Sequence, residues 1–357
     1  MRHPRLGRLS DVAYVGRVIS TALASATTRQ RSFLGIATIA LGTALVLSAC
    51  STGGGGSAGN ATSTAPTTAG SSAGATTGDT SSSAAPKTSS KPPPPTEPVH
   101  VSLFQGDGQV FGIGMPIIAQ FSRKVTSAHA FDKAVTVKVN GQPVNGAWFW
   151  VYSNDGYAME AHYRMEHYWP AHATIQMNMP IKGLSAGPGL AFDDSLTLLM
   201  KTGAAHISTI NGSSERMTVS SDGNLVKTFP VSLGKATTPT YLGVKVVTEK
   251  KNPQLMIGTA DDPYHIKVPW SVRITNSGEF IHAAAWNTGN IGSRSTSHGC
   301  TNLTVGAAEW FYNFSIIGDV ATYVNTGTSK VMPSWDGIGD WNVPWSEWEQ
   351  GNLLKNY

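Results

Sequence analysis

Hydrophobic and polar positions divide the chain into an apolar leader, a polar spacer and a long β-rich part. Residues 33–49 form an uncharged apolar run, and residues 51–96 consist almost entirely of Ser, Thr, Gly, Ala and Pro. Burial of so few apolar groups cannot offset the conformational entropy that the segment would lose on ordering. We therefore expect a disordered linker over residues 51–98.

Residues 99–203 carry the pattern of short strands separated by turns. Residues 135–139 alternate between apolar and polar positions, Asn140-Gly141 is typical of a hairpin turn, and residues 148–152 follow as an aromatic strand. This pattern predicts an immunoglobulin-like sandwich. Three histidines also lie in this part, and without a neighbouring cysteine we interpret them as structural rather than metal-binding: His162, His167 and His172.

Residues 204–326 predict a second β-rich domain with one or two short helices. We expect strands at residues 227–233, 244–247, 267–274, 280–282 and 320–324. Thr304 is a typical N-cap, and Trp310, Phe311 and Phe314 would lie on the buried side of the helix that follows. The fold class is therefore mainly β.

The C-terminal extension, residues 327–357, is rich in tryptophan. Its four tryptophans stand at irregular spacing, at Trp335, Trp341, Trp345 and Trp348. So much apolar surface predicts that the extension packs against a domain or against the seam between the domains.

The net positive charge of the chain comes from the leader. The whole chain has 26 basic and 22 acidic residues, and residues 1–50 hold six arginines and one aspartate. The remaining 20 basic and 21 acidic residues give a formal charge of −1. This balance argues against a nucleic-acid footprint or a basic membrane-binding face.

The end of the leader suggests a membrane anchor. Leu47-Ser48-Ala49-Cys50 resembles a bacterial lipobox, so residues 1–50 are interpreted as a signal peptide whose cleavage leaves Cys50 lipidated. The alternative is an uncleaved N-terminal helix in the membrane. Both interpretations place the rest of the chain outside the cytoplasm. We expect a lipid-anchored protein of the cell membrane that faces the periplasm or cell wall.

The second cysteine lies in a sequence suited to nucleophilic chemistry. His282 is followed after a spacer by Ser297-His298-Gly299-Cys300-Thr301-Asn302. A thiol becomes a useful nucleophile beside a base, and both His282 and His298 are candidates that spacing does not separate. Gly299 permits a tight turn whose amide N–H groups face a developing oxyanion. A buried structural cysteine, a disulfide with Cys50 and a metal-binding Cys–His pair remain alternatives.

These residues resemble the signature of a known catalytic domain. His282, the spacer and the His-Gly-Cys motif are similar to the L,D-transpeptidase (YkuD-like) family, in its two-domain, carbapenem-sensitive type with an N-terminal immunoglobulin-like domain. The resemblance covers residues 99–357. Further similarities are at residues 231–234, 237–240, 278–282, 310–312 and 335–345.

The resemblance implies a role for each matched position. Cys300 would be the nucleophile and His282 the general base, oriented by the main-chain carbonyl of Ala283. The oxyanion cradle would come from the amides of Cys300 and its neighbours, in a loop shaped by four motif residues: Ser297, His298, Gly299 and Asn302.

Substrate contacts are implied at three further positions. Tyr264 would contact the oxyanion or the substrate, and Trp286 and Met256 would line the substrate site, although core packing is the alternative for Met256. Residues 248–262 depart from the family pattern, so we expect a shortened substrate lid.

The implied activity is the formation of 3→3 cross-links between peptidoglycan stem peptides. A tetrapeptide donor would acylate Cys300 with release of D-Ala, and the diamino acid of another stem would accept the acyl group. No metal or organic cofactor is expected, and β-lactams of the carbapenem type would acylate the same thiol. The same site would suit an L,D-carboxypeptidase or a protein-attaching enzyme. The rival from another class is a non-catalytic wall-binding lipoprotein.

Overall fold

The computed structural model describes residues 96–153, 155–258 and 263–351. The predictions for the leader, for Cys50 and for the linker up to residue 95 lie outside these residues. None of the helices in the described part is long and apolar enough to cross a membrane. The same part of the chain contains no group of three His, Cys, Asp or Glu side chains placed to hold a metal ion.

The N-terminal part of the fold is a β-sandwich with one short helix. Its elements are β1 (Glu97–Val99), β2 (Val101–Leu103), β3 (Val110–Phe111), β4 (Ile117–Phe121), α1 (His129–Ala134), β5 (Thr136–Val139), β6 (Gln142–Pro143), β7 (Ala147–Val151), β8 (Met159–Arg164), β9 (Thr174–Met179), β10 (Ser185–Gly187), β11 (Leu190–Phe192) and β12 (Leu196–Thr202).

Two sheets enclose the core of this sandwich. They have the strand orders β2-β4-β8-β7 and β3-β12-β9-β5-β6, and a smaller sheet has the order β1-β11-β10. Strands of both large sheets contribute to one apolar cluster, in which Phe131 of α1 contacts the rings of Phe121 and Trp150 at centroid distances of 5.7 and 5.0 Å. The predicted hairpin at Asn140-Gly141 joins β5 to β6 and is confirmed. The sequence pattern did not predict α1.

The C-terminal part begins at β13 and is also mainly β. Its elements are β13 (His206–Asn211), β14 (Arg216–Ser221), β15 (Asn224–Pro230), β16 (Gly243–Val246), β17 (Glu249–Lys251), β18 (Gln254–Ile257), β19 (His265–Val268), β20 (Ser271–Arg273), β21 (Phe280–Ala283), a 3-10 turn (Ala285–Asn287), β22 (Thr301–Leu303), α2 (Val305–Phe314), β23 (Val320–Val324), a second 3-10 turn (Asp340–Asn342) and α3 (Trp345–Trp348). The mainly β fold class is thus confirmed.

Two sheets and a hairpin organise this part. One sheet has the order β15-β14-β13-β23-β16 and the other β17-β20-β21-β22, while β18 and β19 form a separate hairpin. Helix α2 packs against β20 and β21, and its Phe311 joins a buried apolar cluster with Ile281 and Leu303. Strands β21 and β22 run parallel, which places His282 opposite Asn302.

Several predicted elements are confirmed and two need correction. Thr304 caps α2, since its hydroxyl accepts the N–H of Ala307 at 3.4 Å, and β23 spans the predicted residues 320–324. The single strand predicted at residues 267–274 is wrong. It is divided into β19 and β20 because the chain turns at Trp270, whose φ is 54°. The strand predicted at residues 227–233 ends at Pro230, and Ser232 instead bridges to Asn302.

The C-terminal extension packs on the sandwich, as its tryptophans predict. Trp348 is fully buried, stacks on Phe149 at a centroid distance of 4.6 Å and donates its indole N–H to the carbonyl of Ala147 at 2.9 Å. Trp341 donates to the carbonyl of Gly114 at 2.7 Å. Trp335 departs from the prediction, because 59% of it remains exposed.

Candidate active site

A cavity of about 360 Å³ opens between the β18–β19 hairpin, the end of β21 and the loop before β22. Predicted site residues line it together with Ile266, Val268, Asn287 and Thr296, which were not predicted. The predicted ones are Met256, Tyr264, His282, Trp286, Ser297, His298, Cys300 and Asn302. Gly299 and Ala283 were predicted in the site but do not line the cavity. Both are buried main-chain neighbours of lining residues.

Cys300 stands directly before β22, at the inner wall of the cavity. Its side chain packs in a small apolar cluster with Met256, Val268 and Phe280. The thiol donates to the carbonyl oxygen of Gly278, with Sγ 3.6 Å from that oxygen. The nucleophile predicted from the motif therefore lines the same cavity as the predicted base.

His282 is buried on β21 with a defined tautomer. Its Nδ1 lies 2.8 Å from the carbonyl oxygen of Ala283. Because a carbonyl only accepts, Nδ1 carries the proton and Nε2 keeps its lone pair. Burial lowers the pKa of His282 to about 4, although the bond to Ala283 acts in the opposite direction. The imidazole is therefore neutral at pH 7 and can accept a proton.

The Cys300 thiol is also neutral at rest. Burial raises its pKa to about 12, against the smaller lowering effects of an N–H from Phe280 and of the cations Lys245 and Arg273. The charge of Glu279 acts with burial to raise it. The resting pair is thus a thiol and an imidazole, and a thiolate forms when the proton moves to a base.

Hydrogen bonds hold the loop that carries Cys300. Gly299 has φ of +120°, a region that favours glycine. The Ser297 hydroxyl donates to the carbonyl of Cys300 at 2.6 Å and accepts the N–H of Gly299 at 3.2 Å, and the Thr240 hydroxyl donates to the carbonyl of Gly299 at 2.8 Å. The Gly299 N–H, one of the amides expected to form the oxyanion cradle, is therefore bound to Ser297 in this state.

Aromatic rings border the rest of the cavity. The ring of Tyr264 lies 5.2 Å from that of His298, centroid to centroid. Trp286 lies 6.0 Å from the ring of His282 and is 58% exposed. Of the two candidate bases, His282 is buried with a fixed ring whereas His298 is exposed. These positions favour His282 as the base.

A polar network in the wall of the cavity was missed by sequence reasoning. Asn287 donates to the hydroxyl of Ser232 at 3.1 Å and accepts the hydroxyl of Thr296 at 3.0 Å. The Oδ1 atom of Asn302 is buried with no hydrogen-bond partner among the described residues. Asn287 lies in an Asn- and Gly-rich stretch typical of a loop, so no local signal distinguished it.

Comparisons with known proteins agree with this geometry. Residues 205–332 match the L,D-transpeptidase catalytic domain (YkuD), and residues 61–185 match the bacterial Ig domain. The site residues from Met256 to Asn302 lie within the first match. The solved structure of the L,D-transpeptidase LdtMt1 in complex with imipenem shares 26% identity and a TM-score of 0.53, covering 65% of this chain and all of that one.

Two curated relatives come from Mycobacterium tuberculosis. L,D-transpeptidase 2 is 32% identical over 72% of this chain, and the match spans 64% of that relative's length. The probable L,D-transpeptidase 3 is 31% identical over 59% of this chain and 81% of its own length. With the Cys–His site lying inside the matched domain, the chain belongs to the L,D-transpeptidase family.

Proposed function

We propose that this protein is a peptidoglycan L,D-transpeptidase that forms 3→3 cross-links between stem peptides. The observation that carries the proposal is the placement of Cys300 and a neutral His282 in one cavity of the matched catalytic domain. A protonated thiol beside an unprotonated imidazole is the starting state that nucleophilic acyl transfer requires.

The acylation step follows from that starting state. The thiol proton passes to Nε2 of His282, and the thiolate attacks the carbonyl that links the third residue of a tetrapeptide stem to its terminal D-Ala. When the carbon–nitrogen bond breaks, the imidazolium gives its proton to the leaving amine. D-Ala departs and a thioester remains on Cys300.

The second step returns the enzyme to its resting state. The side-chain amine of a diamino acid in another stem attacks the thioester carbonyl and loses a proton to His282. The carbon–sulfur bond breaks, the thiolate regains that proton, and a cross-linked dimer leaves. Met256 and Tyr264 on the hairpin and Trp286 at the mouth supply the apolar and aromatic surface that would hold the stems.

The cellular setting is part of the proposal. Cys50 would be lipidated after signal cleavage, and the Ser- and Thr-rich linker would let the two folded domains reach wall polymer above the membrane. Carbapenems would acylate Cys300, as the imipenem complex of a structural neighbour suggests.

Purified tetrapeptide muropeptides test the activity. We expect the wild type to produce muropeptide dimers and free D-Ala in equal amounts, and C300A to produce neither. Release of D-Ala without dimers would instead indicate an L,D-carboxypeptidase. The absence of both products, with the protein folded, would contradict the proposal and favour a non-catalytic wall-binding protein.

A further inference from the structure

The turn between β20 and β21 brings two main-chain groups to the sulfur of Cys300. The carbonyl of Gly278 accepts the thiol, with Sγ 3.6 Å from the oxygen, and the N–H of Phe280 donates to the same sulfur. A carbonyl holds a protonated thiol, whereas an N–H stabilises the thiolate that remains when the proton leaves. The position of this turn therefore sets the surroundings of the nucleophile in both of its protonation states.

Hydrogen bonds within the turn give it its shape. The hydroxyl of Thr275, a fully buried residue, accepts the N–H of Gly278 at 3.2 Å and the N–H of Glu279 at 2.8 Å. Gly278 has φ of +108°, a conformation that glycine adopts at little cost. The N–H of Ile274 donates to the carbonyl of Glu279 at 3.1 Å and closes the turn. These contacts fix the shape of the turn, while its tip is held from outside.

Asp336 of the C-terminal extension holds the tip of the turn. Its Oδ1 accepts the backbone N–H of Ser277 and its Oδ2 accepts the hydroxyl of the same residue, each at 2.6 Å. Asp336 is 1% exposed, so water does not compete for these bonds. Hydrogen bonds to a charged acceptor are strong, and burying a carboxylate is costly unless such bonds satisfy it. A buried charge is thus committed to the residue directly before Gly278.

A second buried ionic contact lies near Asp336. The ammonium of Lys245, on β16, contacts Oε2 of Glu279, directly before β21. Lys245 is fully buried and Glu279 is 6% exposed. The charge of Asp336 acts on both members of this pair. Two routes therefore lead from Asp336 to Cys300, one through the position of the turn and one through charge, and a variant that removes only the charge separates them.

We propose that Asp336 is a positioning residue for Cys300: by holding Ser277, it places the Gly278 carbonyl and the Phe280 N–H against the sulfur. The C-terminal extension would then serve the active site as well as contact the sandwich, although Asp336 does not line the cavity. The proposal rests on the proposed function, in which Cys300 is the nucleophile.

The test is the acylation of the full-length protein by imipenem, resolved into the maximal rate constant and the imipenem concentration that gives half of it. D336A removes both bonds to Ser277. Because small displacements of a nucleophile are costly, we expect the maximal rate constant to fall about 10- to 100-fold while the half-saturating concentration stays within about threefold of the wild type.

D336N removes the charge and keeps both contacts. Its Oδ1 can accept the N–H of Ser277 and its Nδ2 can donate to the hydroxyl, so the maximal rate constant should stay within about threefold of the wild type. S277A removes only the hydroxyl bond and should slow acylation about three- to tenfold. S277A also carries the test if D336A does not fold.

N342A is the matched control from the same extension. The side chain of Asn342 bonds the main chain of Val244 at 2.7 and 2.9 Å and the carbonyl of Met332 at 3.0 Å, so it ties the extension to β16 rather than to the turn. N342A should lower the melting temperature and keep the wild-type rate constant. Equal losses of rate in D336A and N342A would show a merely structural role and would overturn the proposal.

A spectroscopic measurement follows the nucleophile without relying on catalysis. In protein labelled at cysteine, the carbon-13 chemical shift of the Cys300 Cβ at pH 7 should move in D336A and S277A and keep its wild-type value in D336N and N342A. Unchanged shifts and rate constants in D336A and S277A would overturn the proposal. So would equal losses in D336A and D336N, which would assign the effect to charge. A wild type that imipenem does not acylate would instead count against the proposed function, while the chemical shift would still test the position of the sulfur.

Discussion

The Nδ1 atom of His282 donates to the main-chain carbonyl of Ala283 across 2.8 Å, and this contact selects the nitrogen that can accept a proton from Cys300. The orienting group belongs to the backbone, so the side chain at position 283 is not needed for it. A substitution at position 283 that leaves the main chain in place should therefore keep the geometry of the base.

Replacing His282 by Gln should remove the base and leave the nucleophile in place. We expect the rate of Cys300 acylation by a carbapenem to fall by about 10²–10⁴, the usual contribution of a general base. Stopped-flow tryptophan fluorescence would report the rate, since Trp286 lines the cavity. The matched variant A283S keeps the carbonyl and should react within a few-fold of the wild type. Equal rates in H282Q and wild type would exclude His282 as the base.

The acylation rate should fall only at an unusually low pH. Burial lowers the pKa of His282 to about 4, so the base stays unprotonated as pH falls from 7 to 5 and is lost only near pH 4. The acylation rate measured from pH 3.5 to 8 should therefore fall near pH 4. A midpoint near pH 6.5, the ordinary value for histidine, would contradict the buried His282 as the base.

Ser297 should matter through the shape of the loop. S297A removes the bond to the carbonyl of Cys300 at 2.6 Å and the acceptor for the N–H of Gly299 at 3.2 Å. Because small displacements of a nucleophile are costly, we expect acylation about 10- to 100-fold slower. The control S293A changes an exposed hydroxyl of the same segment and should keep the wild-type rate. Equal acylation rates for S297A and S293A would contradict this role.

A buried histidine links the sandwich to the C-terminal extension. Burial alone would lower the pKa of His162, but Asp340 on Nδ1, at 2.9 Å, and Glu160 on Nε2, at 3.2 Å, outweigh it and raise the pKa to about 10. A raised pKa means that the folded state binds more protons than the unfolded state. The stabilisation is therefore complete below about pH 6.5 and is lost as pH rises toward 10.

The variant D340N tests this link. Leaving a buried charge without its partner costs about 3–5 kcal/mol, so D340N should unfold at lower denaturant concentration at pH 6. The difference from wild type should narrow at pH 9.5, where the wild type has lost part of its own stabilisation. Urea unfolding at both pH values measures it. A difference that is the same at both would show that His162 is not protonated in the folded protein.

Gly112 is a point of close approach between the sandwich and the catalytic part. Its N–H donates to the carbonyl of Ile317 at 2.8 Å, and a Cβ at this position would overlap the peptide between Gly318 and Asp319. G112A should lower stability by about 1–3 kcal/mol and loosen the contact, seen as a larger radius of gyration in small-angle X-ray scattering. The control G306A has open space at its Cβ and lies in α2, so it should neither lower stability nor enlarge the radius. An unchanged radius and stability in G112A would refute the close contact.

Local signals predicted the parts of the fold that depend on near neighbours. Thr304 before an apolar run gave the start of α2, and Asn140-Gly141 gave the hairpin between β5 and β6. The break at Trp270 was missed although Pro269 precedes it, a residue that is disfavoured inside a central strand.

The candidate site was also predictable only in part from the sequence. Cys300 was identified from its motif, and His282 from the resemblance to a family, since spacing alone did not exclude His298. Lys245 in β16 reads as a polar position of an ordinary strand. Its complete burial depends on Glu279, 34 residues later, so only the folded structure reveals the pair.

Intact-protein mass spectrometry after incubation with a carbapenem tests the central claim most directly. We expect the wild type to gain the mass of one carbapenem molecule, with the modification on the peptide that contains Cys300. C300A, which retains His282 and the cavity, should gain none. A wild-type protein that stays unmodified, or a C300A variant that gains the same mass, would contradict the assignment of Cys300 as the nucleophile.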